Sequence, residues 1–175
     1  DLIRSNVNIS SGLTYSRTPG LIDESLNVAN VSAVSAGAVV SSNISEDVDF
    51  TLSYTGNYSV SRNTIEPDQN SNYFYHTASL KLNLILWEGI VFRNETNNTL
   101  YNGLSGGFNQ NYVLWNVSVA KKMFENQRGE LRAGVTDLLN QNRSVSRTAT
   151  ETYLEDTQSE VLGRYVMLMF TYTLR

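Results

Sequence analysis

The sequence predicts an antiparallel all-β fold of eight strands joined up and down. Apolar and polar residues alternate with a period of two in eight segments, as they do on strands whose successive side chains point to opposite faces. The connections between these segments alternate between short and long. The chain also has ten tyrosines and only two prolines beside abundant Val and Thr, and this composition favours strands over helices.

The alternation is clearest in the third, fourth and last segments. Their apolar sets are Val48, Phe50, Leu52 and Tyr54, then Ala78, Leu80, Leu82, Leu84 and Leu86, and finally Val166, Leu168, Phe170, Tyr172 and Leu174. The first, sixth and seventh segments repeat the pattern over residues 7–15, 113–120 and 131–136. Two segments are weaker, because residues 28–42 are rich in small side chains and residues 90–101 are polar on both faces after Phe92.

The connections form two groups. Residues 44–47, 87–89 and 125–129 are short, whereas residues 17–25, 62–72, 102–110 and 139–159 are polar and several times longer. Outer-membrane barrels have short periplasmic turns at one rim and longer loops outside. Greek-key sandwiches mix connection lengths at both ends. The connections therefore favour a transmembrane up-and-down β-barrel over a soluble sandwich.

Composition and length exclude several other classes. The chain of 175 residues has no Cys, one His and a net charge of −4, so disulfides and Cys-based metal sites are excluded and nucleic acid is a poor partner. It lacks the roughly 18 to 20 consecutive apolar residues of a transmembrane helix. The amino end lacks a secretory signal, so we expect the chain to be mature, truncated or internal to a longer polypeptide.

Aromatic residues fall near both ends of the predicted strands, where barrels carry interfacial belts. The alternative interpretation is cross-strand packing in a sandwich core. The predicted belt residues are Phe50, Trp87, Phe92 and Phe124 beside short turns, Tyr15, Tyr58 and Phe74 nearer long connections, and Trp115.

The opposite, inward faces carry mostly Ser, Thr, Asn, Gly and Ala, with charges expected only at Asp49, Lys81, Lys122 and Arg132. Eight strands can close into a small barrel whose interior is packed with side chains. Small polar residues fill such a lumen poorly but suit a wide wall that faces water or a plug. A wall segment of a larger barrel is therefore the favoured interpretation, with the closed eight-strand barrel as its rival.

Three stretches resemble the outer-membrane β-barrel family of Bacteroidetes-type bacteria, which is related to TonB-dependent receptors and includes SusC-like barrels. They are GGFNQNYVLWN at 106–116, GVTDLLNQN at 134–142 and GRYVMLMFTYTLR at 163–175, and YSRTP at 15–19 and NISE at 43–46 are similar to earlier parts of the same barrel. The resemblance implies that residues 1–175 are the last eight strands of a barrel of about 22 strands. In the family, a plug and a carboxypeptidase-regulatory-like domain precede it.

The resemblance also implies a function and partners. The barrel would take up a large or scarce nutrient with energy delivered by TonB, in contact with outer-membrane lipid and a SusD-like surface lipoprotein. Phe170, Tyr172 and Leu174 would form the C-terminal signal read by the barrel-assembly machinery, from which the final Arg175 departs slightly. A structural scaffold barrel and a soluble surface adhesin are the alternative functions.

We expect neither an enzyme nor a cofactor. The acids fall in turns and loops, as Glu46, Asp47, Glu66, Asp68, Glu151, Glu155 and Asp156, without metal-ligand spacing. His76 has no second His or Cys beside it and is expected to be a rim histidine. Residues 103–107, Gly-Leu-Ser-Gly-Gly, have the spacing Gly-x-Ser-x-Gly, but they indicate a flexible loop and not the strand-to-helix elbow of a hydrolase.

Overall fold

A computed structural model describes residues 4–43, 45, 47–65, 67–87, 89–104, 109–149 and 154–174. Within these ranges the chain forms ten β-strands and two single 3₁₀ turns, Pro67–Gln69 and Glu125–Gln127. Among the same residues there is no helix long and apolar enough to cross a membrane. The strands are β1 (Arg4–Ile22), β2 (Ser25–Asn43), β3 (Val48–Asn63), β4 (Ser71–Leu86), β5 (Ile90–Asn102), β6 (Gln110–Met123), β7 (Gly129–Thr136), β8 (Ser144–Ala149), β9 (Leu154–Ser159) and β10 (Tyr165–Tyr172).

Eight of these strands form one antiparallel sheet in the order β1-β2-β3-β4-β5-β6-β7-β10, which confirms the predicted up-and-down fold. The strands β8 and β9 pair only with each other. The sheet is open, since β1 and β10 are its two edges rather than partners. We call the ends joined by residues 44–47, 87–89 and 124–128 the short-turn rim, and the opposite ends the long-loop rim.

The strands are staggered across the sheet. A row of register partners begins at Ser5, near the short-turn end of β1, and ends at Val166, near the long-loop end of β10. Such a stagger tilts the strands of a barrel relative to its axis. The intermediate partners are Ser42, Phe50, Leu82, Asn94, Val117 and Val135.

The register places the alternating residues of all eight strands on two distinct faces. The apolar face carries, from β1 to β10, Val7, Ile9, Leu13, Tyr15, Val34, Val40, Phe50, Leu52, Tyr54, Leu80, Leu82, Leu84, Phe92, Trp115, Val117, Val119, Leu131, Val135, Val166, Leu168 and Phe170. The polar face carries the residues between them. A slip of one residue in any strand would exchange its two faces, so the continuity of the apolar face supports the register.

The apolar face is uncovered within the described part of the chain. Ile9, Leu13 and Leu168 have 82%, 84% and 71% of their surface exposed. Only five apolar side chains are buried among the described residues, namely Val28, Ala29, Val91, Leu104 and Ala120. A soluble sandwich would cover this face with a second sheet, because soluble proteins rarely expose apolar patches of this extent.

Two of the predicted long connections are wrong, because part of each forms β-strands. The strands β1 and β2 run on through residues 17–25 and meet at a turn formed by Asp23 and Glu24. Thr18, Pro19 and Gly20 are typical of turns but stay paired with β2. Strands of 19 residues exceed the roughly 9 to 11 that cross a bilayer, so this hairpin extends beyond it. The connection over residues 139–159 was predicted to be a loop, but it contains the β8–β9 hairpin.

A charge placed on the apolar face tests the assignment of the two faces. Leu80 lies on the apolar face, and its register partner Leu52 lies between Phe50 and Tyr58 on β3. Ser79 is the next residue of β4 and lies on the polar face. We expect Leu80→Arg in the full-length protein to lower the free energy of unfolding from lipid vesicles by about 2 to 4 kcal/mol. Ser79→Arg loses one hydroxyl bond to Ser53 and should cost about 1 kcal/mol. Equal losses in urea titrations of the two variants would contradict the assignment.

Candidate functional site

The polar face is the candidate functional surface, because most of the groups able to bind a polar solute lie on it. On β1 to β3 it is lined by small side chains, among them Ser10, Ser35, Ser53 and Thr55. Ser53 and Ser79 join β3 to β4 through a hydroxyl contact of 2.6 Å. Asn83 Nδ2 donates to Asp49 Oδ1 at 2.9 Å nearer the short-turn rim. This part of the face is therefore lined mainly by small polar side chains.

Charged residues are concentrated on the polar face of β4 to β7. Lys81 Nζ lies 3.4 Å from Glu95 Oε1, between β4 and β5. Glu130 Oε1 lies 3.3 Å from Arg93 Nη1 and 2.5 Å from Arg132 Nη2. Exposed pairs of this kind contribute little stability individually. Their arrangement nevertheless gives this part of the wall a defined pattern of charge.

The sequence predicted inward charges only at Asp49, Lys81, Lys122 and Arg132. This prediction is wrong, because other charged residues lie on the same face. The register places all four on the polar face and adds Arg93, Glu95 and Glu130. The residues of β5 are polar on both faces, so alternation alone did not assign Arg93 and Glu95 to a side. Glu130 was missed because β7 begins at Gly129, before the predicted strand.

A concavity of about 300 Å³ lies against this charged part of the wall. Its lining includes the three cations Lys81, Arg93 and Arg132, and neutral polar side chains from β4, β6 and β7. Methionines of β10 close one side. Those neutral polar residues are Asn83, Asn116, Ser118 and Thr136, the methionines are Met167 and Met169, and Asn94 and Glu95 of β5 also line the concavity.

Four tyrosines form a second cluster on the polar face, nearer the long-loop rim. The rings of Tyr75 and Tyr101 are 4.9 Å apart, and those of Tyr73 and Tyr101 are 6.4 Å apart. The hydroxyl of Thr77 donates to the Tyr75 oxygen at 2.8 Å. Tyr112 lies on the same face, on β6. Such aromatic positions could have been found in the sequence from the odd-numbered residues of β4 and β5.

Two buried polar residues fix the loops at the long-loop rim. Asn27 is fully buried, and its Oδ1 accepts the backbone N–H groups of Thr64 and Ile65 at 3.1 and 3.3 Å. The Thr64 hydroxyl accepts the N–H of Val28 at 2.9 Å. Buried polar groups are stable only when hydrogen-bonded, and here the bonds tie the β3–β4 loop to β2.

Asp137 has the same role at the start of the longest loop, inside the motif at residues 134–142. Its side chain is fully buried and accepts the N–H groups of Gln141 and Asn142 at 2.9 and 3.1 Å. Its own N–H donates to Asn116 Oδ1 at 2.9 Å. Asn140 Oδ1 then accepts the N–H of Arg164 at 3.0 Å, where the chain returns to β10. The motif therefore joins both ends of the longest loop.

Four of the predicted belt residues lie at or near the short-turn rim, and Tyr58 and Phe74 lie toward the long-loop rim, whereas Tyr15 and Trp115 lie within their strands. Phe50 and Phe92 are each the third residue of their strand from the short-turn rim, and Trp87 and Phe124 lie in its connections. Toward the long-loop rim, Tyr58 and Phe74 are register partners. Tyr15 donates its hydroxyl to Asn30 on the neighbouring strand at 3.0 Å. Trp115 donates Nε1–H to Asn94 Oδ1 at 2.7 Å, and its carbonyl accepts the N–H of Leu138 just above β7. Their contact with lipid headgroups stays a prediction.

The C-terminal residues join an aromatic cluster at the short-turn rim. The ring of Phe124 packs edge-on against Phe170 and Tyr172, with centroids 6.5 and 5.9 Å apart. Leu174 follows β10 and is 86% exposed. These residues are available at one edge of the open sheet. Their role as an assembly signal stays a prediction, and Arg175 lies outside the described residues.

His76 lies on the apolar face of β4 between Tyr54 and Phe74, with ring centroids 5.5 and 5.7 Å apart. Its Nε2 lies 3.2 Å from Asn98 Oδ1. In the described part of the chain, no group of three or more His, Cys, Asp or Glu is placed to hold a metal ion. Glu46, Glu66 and Glu151 lie outside the described residues.

Comparison with known proteins identifies a family. The family described as "Outer membrane protein beta-barrel family" matches residues 3–172, nearly the whole chain. No curated protein and no solved structure matches the chain.

Loss of the Asp137 carboxylate tests its role in fixing the longest loop. Asp137→Ala leaves the N–H groups of Gln141 and Asn142 without their acceptor, at a cost of about 1 to 3 kcal/mol. We expect cleavage within residues 138–163 by an added protease to accelerate at least about tenfold in the full-length protein, while the strands stay protected. Asp68→Ala, an exposed acid in another loop of the same rim, is the control. Unchanged cleavage of Asp137→Ala would contradict the anchoring role.

Proposed function

The chain belongs to the outer membrane protein beta-barrel family and lies in the bacterial outer membrane, and on this basis we propose that it forms part of the wall of a TonB-dependent-receptor-like transporter. The apolar face contacts lipid and the polar face lines the path of the solute. The protein catalyses no reaction and takes up a large or scarce polar nutrient. The observation that carries this proposal is the continuous polar face across all eight strands.

The character of the polar face supports a wide, hydrated lumen. On β1 to β3 it presents small Ser, Thr, Asn and Gly side chains, and on β4 to β7 it presents the exposed pair Lys81–Glu95 and the half-buried pair Arg93–Glu130. Lys81 and Glu95 have 58% and 43% of their side-chain surface exposed. A closed eight-strand barrel has an interior just wide enough for side chains to fill. The small residues of β1 to β3 would leave that interior unfilled.

The open edges support a larger barrel. The N–H and C=O groups at an edge lack partners, and lipid offers none, so membrane-spanning sheets close into barrels. We propose that strands outside residues 1–175 pair with β1 and with β10. An upstream plug would occupy the enclosed lumen, as the resemblance to TonB-dependent receptors implies. The barrel-assembly machinery would then recognise the C-terminal residues Phe170, Tyr172 and Leu174.

The long-loop rim is suited to capture of a solute or a partner. The buried anchors Asn27 and Asp137 hold two of its loops in fixed positions. The β1–β2 and β8–β9 hairpins extend this rim further. Preformed loops lose less conformational entropy on binding than flexible ones. We propose that this rim meets the solute and a SusD-like surface lipoprotein.

Paired cysteine substitutions test the assignment of the two faces to lipid and water. Leu52→Cys and Ser53→Cys are neighbours on opposite faces of β3, and the chain has no other Cys. In the full-length protein in native membranes, we expect a membrane-impermeant thiol reagent to modify Ser53→Cys and spare Leu52→Cys. Modification of neither would support the packed eight-strand barrel, and modification of Leu52→Cys alone would reverse the assignment.

A second experiment separates transport from a scaffold role. A transporter of the proposed class requires a TonB-binding segment ahead of the plug. We expect full-length protein purified in detergent to bind the immobilised periplasmic domain of TonB, and free TonB domain to release it. An unrelated outer-membrane barrel from the same preparation is the control. Absence of binding by a folded sample would contradict TonB-dependent transport and favour the scaffold.

A further inference from the structure

The concavity on the polar face of β4 to β7 has more positive than negative charge. Its three cations, Lys81, Arg93 and Arg132, are paired with two carboxylates, Glu95 and Glu130. Both guanidinium groups contact the same oxygen, Glu130 Oε1. One carboxylate therefore serves two arginines, and it neutralises only part of their charge.

Both arginines also retain hydrogen-bond donors. Arg93 gives Glu130 one N–H, from Nη1, and Arg132 gives two, from Nε and Nη2. Within the described part of the chain, the remaining guanidinium N–H groups have no protein acceptor. A guanidinium is a rigid planar group with five donors, and it binds carboxylate and phosphate oxygens in pairs. The free donors of two adjacent guanidinium groups can therefore receive a second anion.

The neighbouring side chains leave space for that anion. Ser118 is the register partner of both Arg93 and Gly134. A Cβ on Gly134 would lie 3.0 Å from Ser118 Cβ. The absence of a side chain at Gly134 therefore leaves space in the concavity beside Ser118. The volume of about 300 Å³ is at the lower end of the range for small-ligand pockets.

We infer that Arg93, Arg132 and Lys81 form a subsite for an oxyanion group, a carboxylate or a phosphate, carried by the transported solute. The inference rests on the proposed function, because it requires the polar face to line a water-filled path. Glu130 holds the two guanidinium groups beside each other, and Ser118 and Asn116 supply neutral polar groups around the anion. The solute class is thus an acidic one.

The test uses the full-length protein in native membranes with a single cysteine, Ser118→Cys, in the concavity. Its reaction rate is measured with two methanethiosulfonates of similar size, one carrying a sulfonate and one a trimethylammonium group. Ser53→Cys, on the part of the same face lined mainly by small polar side chains, is the reference. We expect the anionic-to-cationic rate ratio to be about tenfold higher at residue 118 than at residue 53.

Charge-neutralising variants assign that preference to particular residues. Arg93→Gln and Arg132→Gln should each lower the ratio about threefold, and Glu130→Gln should raise it. Lys122→Gln removes a cation of the same face outside the concavity, and should change the ratio less than about twofold because solvent ions screen it. Inorganic phosphate or succinate should slow labelling at residue 118, but not at residue 53, relative to chloride at equal ionic strength. Protection by phosphate alone identifies a phosphate subsite, and protection by both identifies a general oxyanion subsite.

The results that overturn the inference differ from those that overturn the proposed function. Equal rates with both reagents at residue 118, an unchanged ratio in the arginine variants, or no protection by either anion would overturn the subsite and leave the water-filled lumen standing. If neither reagent modified residue 118 or residue 53, the lumen itself would be contradicted. Modification at residue 53 but not at residue 118 would show that another part of the protein covers the concavity, which also overturns the subsite.

Discussion

Backbone hydrogen bonding in lipid is the constraint on which the rest of this structure depends. A strand that crosses a bilayer has to pair its N–H and C=O groups with other strands, because hydrocarbon offers no partner. Seven neighbouring pairs in the sheet meet this requirement, and the outer edges of β1 and β10 do not. The eight strands therefore need further strands that pair with the outer edges of β1 and β10.

The same pairing separates the chemistry of the two faces. Since side chains alternate along every strand, a fixed register assembles Leu52, Leu82 and their neighbours into one apolar surface. It also collects Lys81, Arg93, Glu130 and Arg132, which are distant in sequence, into one charged wall. The loops depend on a different principle, because Asn27 and Asp137 fix them by buried hydrogen bonds. Lipid contact, solute path and loop anchoring thus use separate sets of residues.

The sequence predicted the fold class well where apolar alternation is strict, as in β3, β4 and β10. It could not assign the faces of β5, because Asn94, Thr96 and Asn98 are polar on the apolar side and only pairing with β4 and β6 reveals it. The β8–β9 hairpin has no apolar alternation in its sequence, and it forms a sheet separate from the eight strands. The Asp137 carboxylate binds the nearby N–H groups of Gln141 and Asn142, but Asn27 depends on Thr64, a distant partner that no local pattern shows. The charged subsite was missed for the same reason.

The most direct test of this account is an electron cryomicroscopy structure of the protein extracted from native outer membrane in detergent. The account predicts a barrel with more than eight strands, in which β1 and β10 are each hydrogen-bonded to a strand outside residues 1–175. In that barrel, Lys81, Arg93 and Arg132 would face a wide lumen and Leu52 and Leu82 would face the detergent. A barrel closed by direct pairing of β1 with β10 would contradict the account.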